Sequence, residues 1–213
     1  MLSIDYIKKK YNAIATRSYN TKLEIFLFSR ALRKVTNEDT SPEEFLRFQI
    51  TKELMDLYEN ACQLKEAERL TMDGPTMAQI DEDIEKWTQH NSDLKMEFSR
   101  QYMAYFKTEY FPYSEFQEIY HPDPAKRVCH YCKVSDAEIK MLRSRGRIRA
   151  KANRGYSMEI DRQKPNLEYS KENCVLACYW CNNAKTDEFS YGEFSKHIGP
   201  SIQSVWKERR SKG

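Results

Sequence analysis

Apolar residues recur at helical spacing through the first 110 positions. Ile4, Ile7 and Tyr11, and later Ile25, Phe28, Leu32 and Val35, mark two helices within residues 1–36. Ser41-Pro42-Glu43-Glu44 is a start signal, with Ser41 as N-cap, Pro42 at the first helical position and two glutamates in the first turn. From there Ile50, Leu54, Leu57, Ala61 and Leu64 follow at steps of four and three, which predicts one helix to about Leu70, broken by TMDGPT. Met77, Ile80, Ile84, Trp87, Asn91, Leu94 and Phe98 repeat the pattern over about 75–110. Two long helices with matching seams and a Gly-Pro turn between them predict an antiparallel helical hairpin. Asn91 falls on the seam, either fixing register and partner number or lying partly exposed beside an ordinary intramolecular core.

The texture changes near residue 120, where His121-Pro122-Asp123-Pro124 forms a turn-rich joint. The expected organisation is a helical domain over 1–120 and a second domain over 121–213. Beyond the joint the period shifts from helical to alternating. Tyr156, Met158 and Ile160 interleave with Ser157, Glu159 and Asp161, giving a strand with one apolar and one carboxylate-bearing face. Asp161 is expected to point away from the core at the strand's end. Asn173-Cys174-Val175-Leu176-Ala177-Cys178 reads as the returning strand, and WCNNAKTDEF as a helix. Strand, strand and helix then bring Asp161 and Asn182 towards one point. A closing amphipathic tail carries Phe189, Tyr191, Phe194, Ile198, Ile202, Val205 and Trp206, interrupted by Gly199-Pro200, and ends in the basic KERRSK. His197 on this tail reads as packing, and His90 and His121 carry no chemistry.

Composition narrows the class. With 213 residues, 31% charged and only 6 Gly and 7 Pro, the chain is neither collagen-like nor low-complexity. No stretch approaches the roughly 18 apolar residues of a membrane span and the start has no signal-peptide run, so a soluble, cytoplasmic protein without membrane contact is expected. The net charge of +3 divides into −5 over residues 1–120 and +8 over 121–213. An acidic front suits homodimerisation or docking of a protein partner, and a basic back suits phosphate.

Five of the 6 cysteines lie beyond residue 128, and four of them form two CxxC pairs, Cys129/Cys132 and Cys178/Cys181. Two residues between thiolates let both face one tetrahedral zinc, and two pairs close the coordination sphere, so the metal is structural. A redox CxxC would come singly after a strand of a larger α/β unit. Cys62 and Cys174 read as buried, apolar-like residues.

EIDR (159–162), EYSKENC (168–174) and LACYWCNNAKTD (176–187), with the upstream CHYC, resemble the HNH endonucleases of the ββα-metal fold over about 127–210. Within that family the likeness is to rare-cutting restriction enzymes in which a DR dipeptide also replaces the usual Asp-His or His-His. The expected fold is thus mainly α with a small zinc-stapled ββα-metal module. The resemblance implies that Asp161 and Asn182 ligate a catalytic divalent ion such as Mg²⁺, and that Asn173 braces the loop. An acid and an amide oxygen form a sparse hard-oxygen set suited to an ion that keeps waters. The alternative is that both residues only cap turns of a non-catalytic zinc module.

Where most members place a His after the strand Asp, Arg162 stands here. A guanidinium cannot accept a proton, so Arg162 reads as a phosphate clamp and the general base must come from elsewhere. His130 and Tyr131 of the knuckle are the two candidates, while Glu159 reads as solvated or as a water-orienting group. Arg143, Arg145, Arg147, Arg149, Lys151 and Arg154 supply a basic segment for phosphate contact with double-stranded DNA. The expected function is metal-dependent DNA hydrolysis in restriction or anti-phage defence. Its rivals are a nuclease subunit of a larger defence or mobile-element complex, recruited through residues 1–120, and a zinc-dependent binding module without catalysis.

Overall fold

A computed structural model describes residues 4–36, 40–148, 157–165, 167–186 and 188–211. The described residues are mostly helical, with one two-stranded sheet. They divide into two compact units, Ala13–Tyr110 and, together, Met1–Asn12 with Phe111–Gly213.

Helix α1 spans Ile4–Leu32, one helix where two were expected. No glycine or proline interrupts these 29 residues, so nothing local stops propagation. Its end is set by Lys34, whose left-handed φ of 61° lets Val35 N–H reach the Arg30 carbonyl at 3.0 Å.

In the Ala13–Tyr110 unit the two expected long helices are four shorter ones. Helix α2 covers Pro42–Arg47 and α3 covers Lys52–Ala61, because Thr51 caps a second helix with its hydroxyl on Leu54 N–H at 3.2 Å. Helix α4, Met77–His90, opens on a capping box of Thr76 and Gln79, and α5 covers Ser92–Tyr105, continuing into a π-helical turn at Phe106–Tyr110. Asn91 separates α4 from α5, with φ −119° and ψ 37°. Its side chain donates back to the Trp87 carbonyl at 2.9 Å. It ends a helix and is partly exposed, as the second of the two readings has it, and the expected hairpin of two continuous helices is not formed. The core here is aromatic: Phe45 and Phe98 stack at 4.7 Å, flanked by buried Phe26, Trp87 and Tyr102. Cys62, expected to be buried, is exposed, since α3 ends at Ala61 and turns it outward.

In the other unit α6, Tyr113–Ile119, presents Phe116 to Tyr11, while the Tyr11 hydroxyl donates to the Phe111 carbonyl at 2.7 Å. Phe116 stacks on Tyr120, and the guanidinium of Arg127 lies over Tyr120 at 4.6 Å. Arg127 is fully buried. It donates to the His121 and Pro122 carbonyls and pairs with buried Asp136 at 3.3 Å. Asp136 N–H returns to the Arg127 carbonyl at 3.0 Å, so this pair closes the base of the CHYC loop.

Helix α7, Asp136–Ser144, follows, with a Ser135/Glu138 capping box at its start. At its end Gly146 takes φ 66° and Arg147 N–H reaches the Leu142 carbonyl at 2.8 Å, a Schellman closure that only a residue tolerant of left-handed φ provides cheaply.

Strands β1, Glu159–Arg162, and β2, Cys174–Ala177, pair antiparallel with Asp161 opposite Val175. Helix α8, Tyr179–Lys185, starts at Cys178. A short turn α9, Tyr191–Glu193, a π-helical turn at Phe194–Ile198 and helix α10, Gly199–Ser211, complete the chain. Gly199-Pro200, expected to interrupt the tail, instead begins α10. Gly199 is needed for a close approach: a Cβ there would stand 3.1 Å from both the Cβ and the carbonyl oxygen of Tyr131. No helix among the described residues is long and apolar enough to cross a membrane.

Candidate active site

The four paired cysteines converge. The Sγ atoms of Cys129, Cys132, Cys178 and Cys181 all lie within 4.8 Å of one another, and all four residues are buried. A tetrahedral zinc with bonds of about 2.3 Å requires sulfurs about 3.8 Å apart. The Cys132 and Cys178 sulfurs sit 3.6 Å apart with no disulfide between them, so the set fits a closed site. Local geometry prepares it. Lys133, at φ 60°, turns the first knuckle so that Lys133 N–H meets the Cys129 carbonyl, and Cys178 caps α8 with its sulfur toward Cys181 N–H at 3.4 Å. His130 N–H donates to the Leu176 carbonyl at 2.7 Å, which ties the knuckle to β2.

Beside this cluster, α8 lies over one face of β1. Glu159 and Asp161, two apart on the strand, share that face, and Asn182 and Lys185, three apart on the helix, look back at it. Asn182 Nδ2 donates to Glu159 Oε2 at 2.5 Å, and Lys185 Nζ stands 3.4 Å from Asp161 Oδ2. Lys185 also donates to the Arg162 carbonyl at 2.8 Å and is 1% exposed. The Tyr131 hydroxyl donates to Asp161 Oδ2 at 2.5 Å.

Asp161, expected to point away from the core, has a side chain only 11% exposed beneath these neighbours. Burial raises its pKa above the ordinary carboxylate value, against the opposing pull of Tyr131 and Lys185. Glu159, read as solvated, is half-buried and engaged.

The two base candidates differ in their partners. Tyr131 is buried with its hydroxyl donating to Asp161, and burial first, then that bond, hold its phenol well above the usual range. His130 is half-buried with Nε2 2.8 Å from the Tyr191 hydroxyl. Burial lowers its pKa, Lys133 adds to the shift, and Cys129 and Asp161 oppose it.

Arg162 sits on the opposite strand face from Asp161, its guanidinium 4.8 Å over the Tyr169 ring and donating to the Leu167 carbonyl at 3.2 Å. Asn173 is buried in the loop joining the strands. Its Oδ1 accepts from Lys164 N–H, and its Nδ2 donates to the Lys164, Leu167 and Glu168 carbonyls at 3.0 to 3.3 Å. Arg143, Arg145 and Arg147 are exposed at the end of α7, whereas Arg149, Lys151 and Arg154 lie outside the described residues. The Arg147 carbonyl accepts from Arg209 of α10, and His197, read as packing, is exposed.

Sequence reasoning missed Lys185, and it places Tyr191 only on the amphipathic tail, not beside His130. Lys185 is recoverable only from its spacing, one helical turn after Asn182. Thr186 behind it takes φ 48° and ψ −161°, an uncommon backbone for a β-branched residue, where α8 stops.

No protein-family model and no curated protein matches the chain. Over part of its length the chain is similar to the solved structure of the rare-cutting HNH restriction endonuclease PacI, with 30% sequence identity and a TM-score of 0.37. The match covers 43% of this chain and 61% of that one, less than two thirds of the known structure.

Proposed function

We propose that the chain is a metal-dependent DNA endonuclease of HNH type, hydrolysing phosphodiester bonds at the β1/α8 face. One observation carries this reading: a cysteine cluster suited to zinc ties the knuckle that bears Tyr131 to the start of α8, and α8 faces β1 with an acid, an amide and their charged supports between them. A zinc module built only for stability has no need of a largely buried Asp161 held by both Tyr131 and Lys185.

Asp161 and Asn182 would hold the catalytic divalent ion, Mg²⁺ or a similar hard cation, each having one side-chain oxygen beyond the bonds described. Bound there, the ion supplies stabilisation of the pentacoordinate phosphate and of the departing 3′ oxygen. Tyr131 acts on Asp161, fixing Oδ2. His130 is the general base. With its proton on Nε2 and donated to the Tyr191 oxygen, Nδ1 keeps the lone pair that takes a proton from the attacking water. Asn173 holds the inter-strand loop, and Arg162, steadied on Tyr169, addresses a neighbouring phosphate. The exposed arginines at the end of α7, with Arg149, Lys151 and Arg154 next in sequence, contact further phosphates of double-stranded DNA.

Residues 1–120, with net charge −5, serve dimerisation or docking of a protein partner, since two active sites cut two strands more readily than one. The setting is cytoplasmic restriction or anti-phage defence. Incubating the purified, zinc-loaded chain with supercoiled plasmid and Mg²⁺ tests the reading. Nicked and linear products are expected, and inertness with both Mg²⁺ and Mn²⁺ would refute a self-sufficient nuclease.

A further inference from the structure

We infer that Glu159 is a positioning residue that decides which end of the Asn182 amide faces the catalytic cation. The inference rests on the reading of Asp161 and Asn182 as ligands of that ion. An asparagine side chain has two ends of nearly equal size and opposite chemistry, and only its oxygen can ligate a hard cation. Something must therefore exclude the flipped amide. Asn182 Nδ2 donates to Glu159 Oε2 at 2.5 Å. A carboxylate oxygen accepts and does not donate, so flipping the amide would press Oδ1 against Oε2, two acceptors in contact. The bond fixes Oδ1 on the other side.

The same arrangement gives a role to the second carboxylate that stands two residues before Asp161 on this half-buried face. The supports are crossed. Strand β1 supplies the ligand Asp161 and the support Glu159, while α8 supplies the ligand Asn182 and the support Lys185. Each ligand faces a charged residue of the opposite element: Asn182 through a short charge-assisted bond to Glu159, and Asp161 through the looser 3.4 Å ion pair with Lys185.

Mn²⁺ affinity of the zinc-loaded full chain, followed by electron paramagnetic resonance, tests the inference at matched zinc content and thermal midpoint. Glu159→Leu is expected to weaken Mn²⁺ binding about tenfold or more, and the isosteric Glu159→Gln, which keeps an acceptor oxygen, by less. In an Asn182→Ala background, which has no amide to orient, Glu159→Leu should cost nothing further. Wild-type affinity in both Glu159 variants would overturn the inference. So would an undiminished loss in the Asn182→Ala background, because Glu159 would then act on the ion by charge alone. If Asp161→Ala and Asn182→Ala themselves bind Mn²⁺ like wild type, the catalytic-ion reading falls. If they lose binding and the Glu159 variants do not, only the role of Glu159 falls.

Discussion

The hydroxyl of Tyr131 donates to Oδ2 of Asp161 at 2.5 Å, joining the cysteine knuckle to the strand that carries the acid. Tyr131→Phe removes that donor and leaves ring packing against Phe194 in place. A hydrogen bond to a charged group contributes about 1.5–3 kcal/mol, so turnover of plasmid is expected to fall roughly 10- to 100-fold while zinc content is unchanged. An unaltered rate would remove Tyr131 from the site's machinery.

The thiols separate into three classes that a titration can read. Zinc-loaded native protein should show one fast-reacting thiol, exposed Cys62. Buried Cys174, whose pKa burial pushes up to about 12, stays silent at neutral pH. Chelation should release the four zinc ligands and unfold the module, as binding and folding are linked. Five thiols reacting at once in untreated protein would argue against the metal centre.

Much of this site was legible in the chain because its signals are local. CxxC spacing, the strand alternation that puts Glu159 and Asp161 on one face, and the helix after Cys178 are properties of neighbouring residues. The helical part is less legible for a physical reason: apolar periodicity continues from Ile50 to Leu64 and from Met77 to Phe98 whether or not the backbone breaks, and the breaks are made by single caps, Thr51 and Asn91. Cys62 was misplaced with its helix. Lys185 could not be placed either, since its burial depends on how α8 lies on β1.

Lys185, 1% exposed, is held between Asp161 and the Arg162 carbonyl. Lys185→Met leaves Asp161 buried without its nearest cation, and breaking a buried pair costs about 3–5 kcal/mol. Urea unfolding should show a loss near the lower bound, given the 3.4 Å separation, together with reduced cleavage. A variant as stable and active as wild type would show the pair to be incidental.

Gly199 lets α10 approach the knuckle backbone. In Gly199→Ala the new Cβ stands 3.1 Å from the Tyr131 carbonyl oxygen, so either the knuckle or the helix must shift. Overpacking of this kind costs about 1–3 kcal/mol, and cleavage should fall with stability because Tyr131 moves relative to Asp161. Equal thermal midpoints and rates would show that the contact relaxes freely.

The central claim is that Asp161 and Asn182 hold the ion that drives phosphodiester hydrolysis. Cleavage of supercoiled plasmid under single-turnover conditions with Mg²⁺ tests it most directly, comparing wild type, Asp161→Ala and Asn182→Ala at equal zinc content. The account predicts nicking by wild type and a loss of at least about a thousandfold in each variant. Cleavage by Asp161→Ala at the wild-type rate would contradict it.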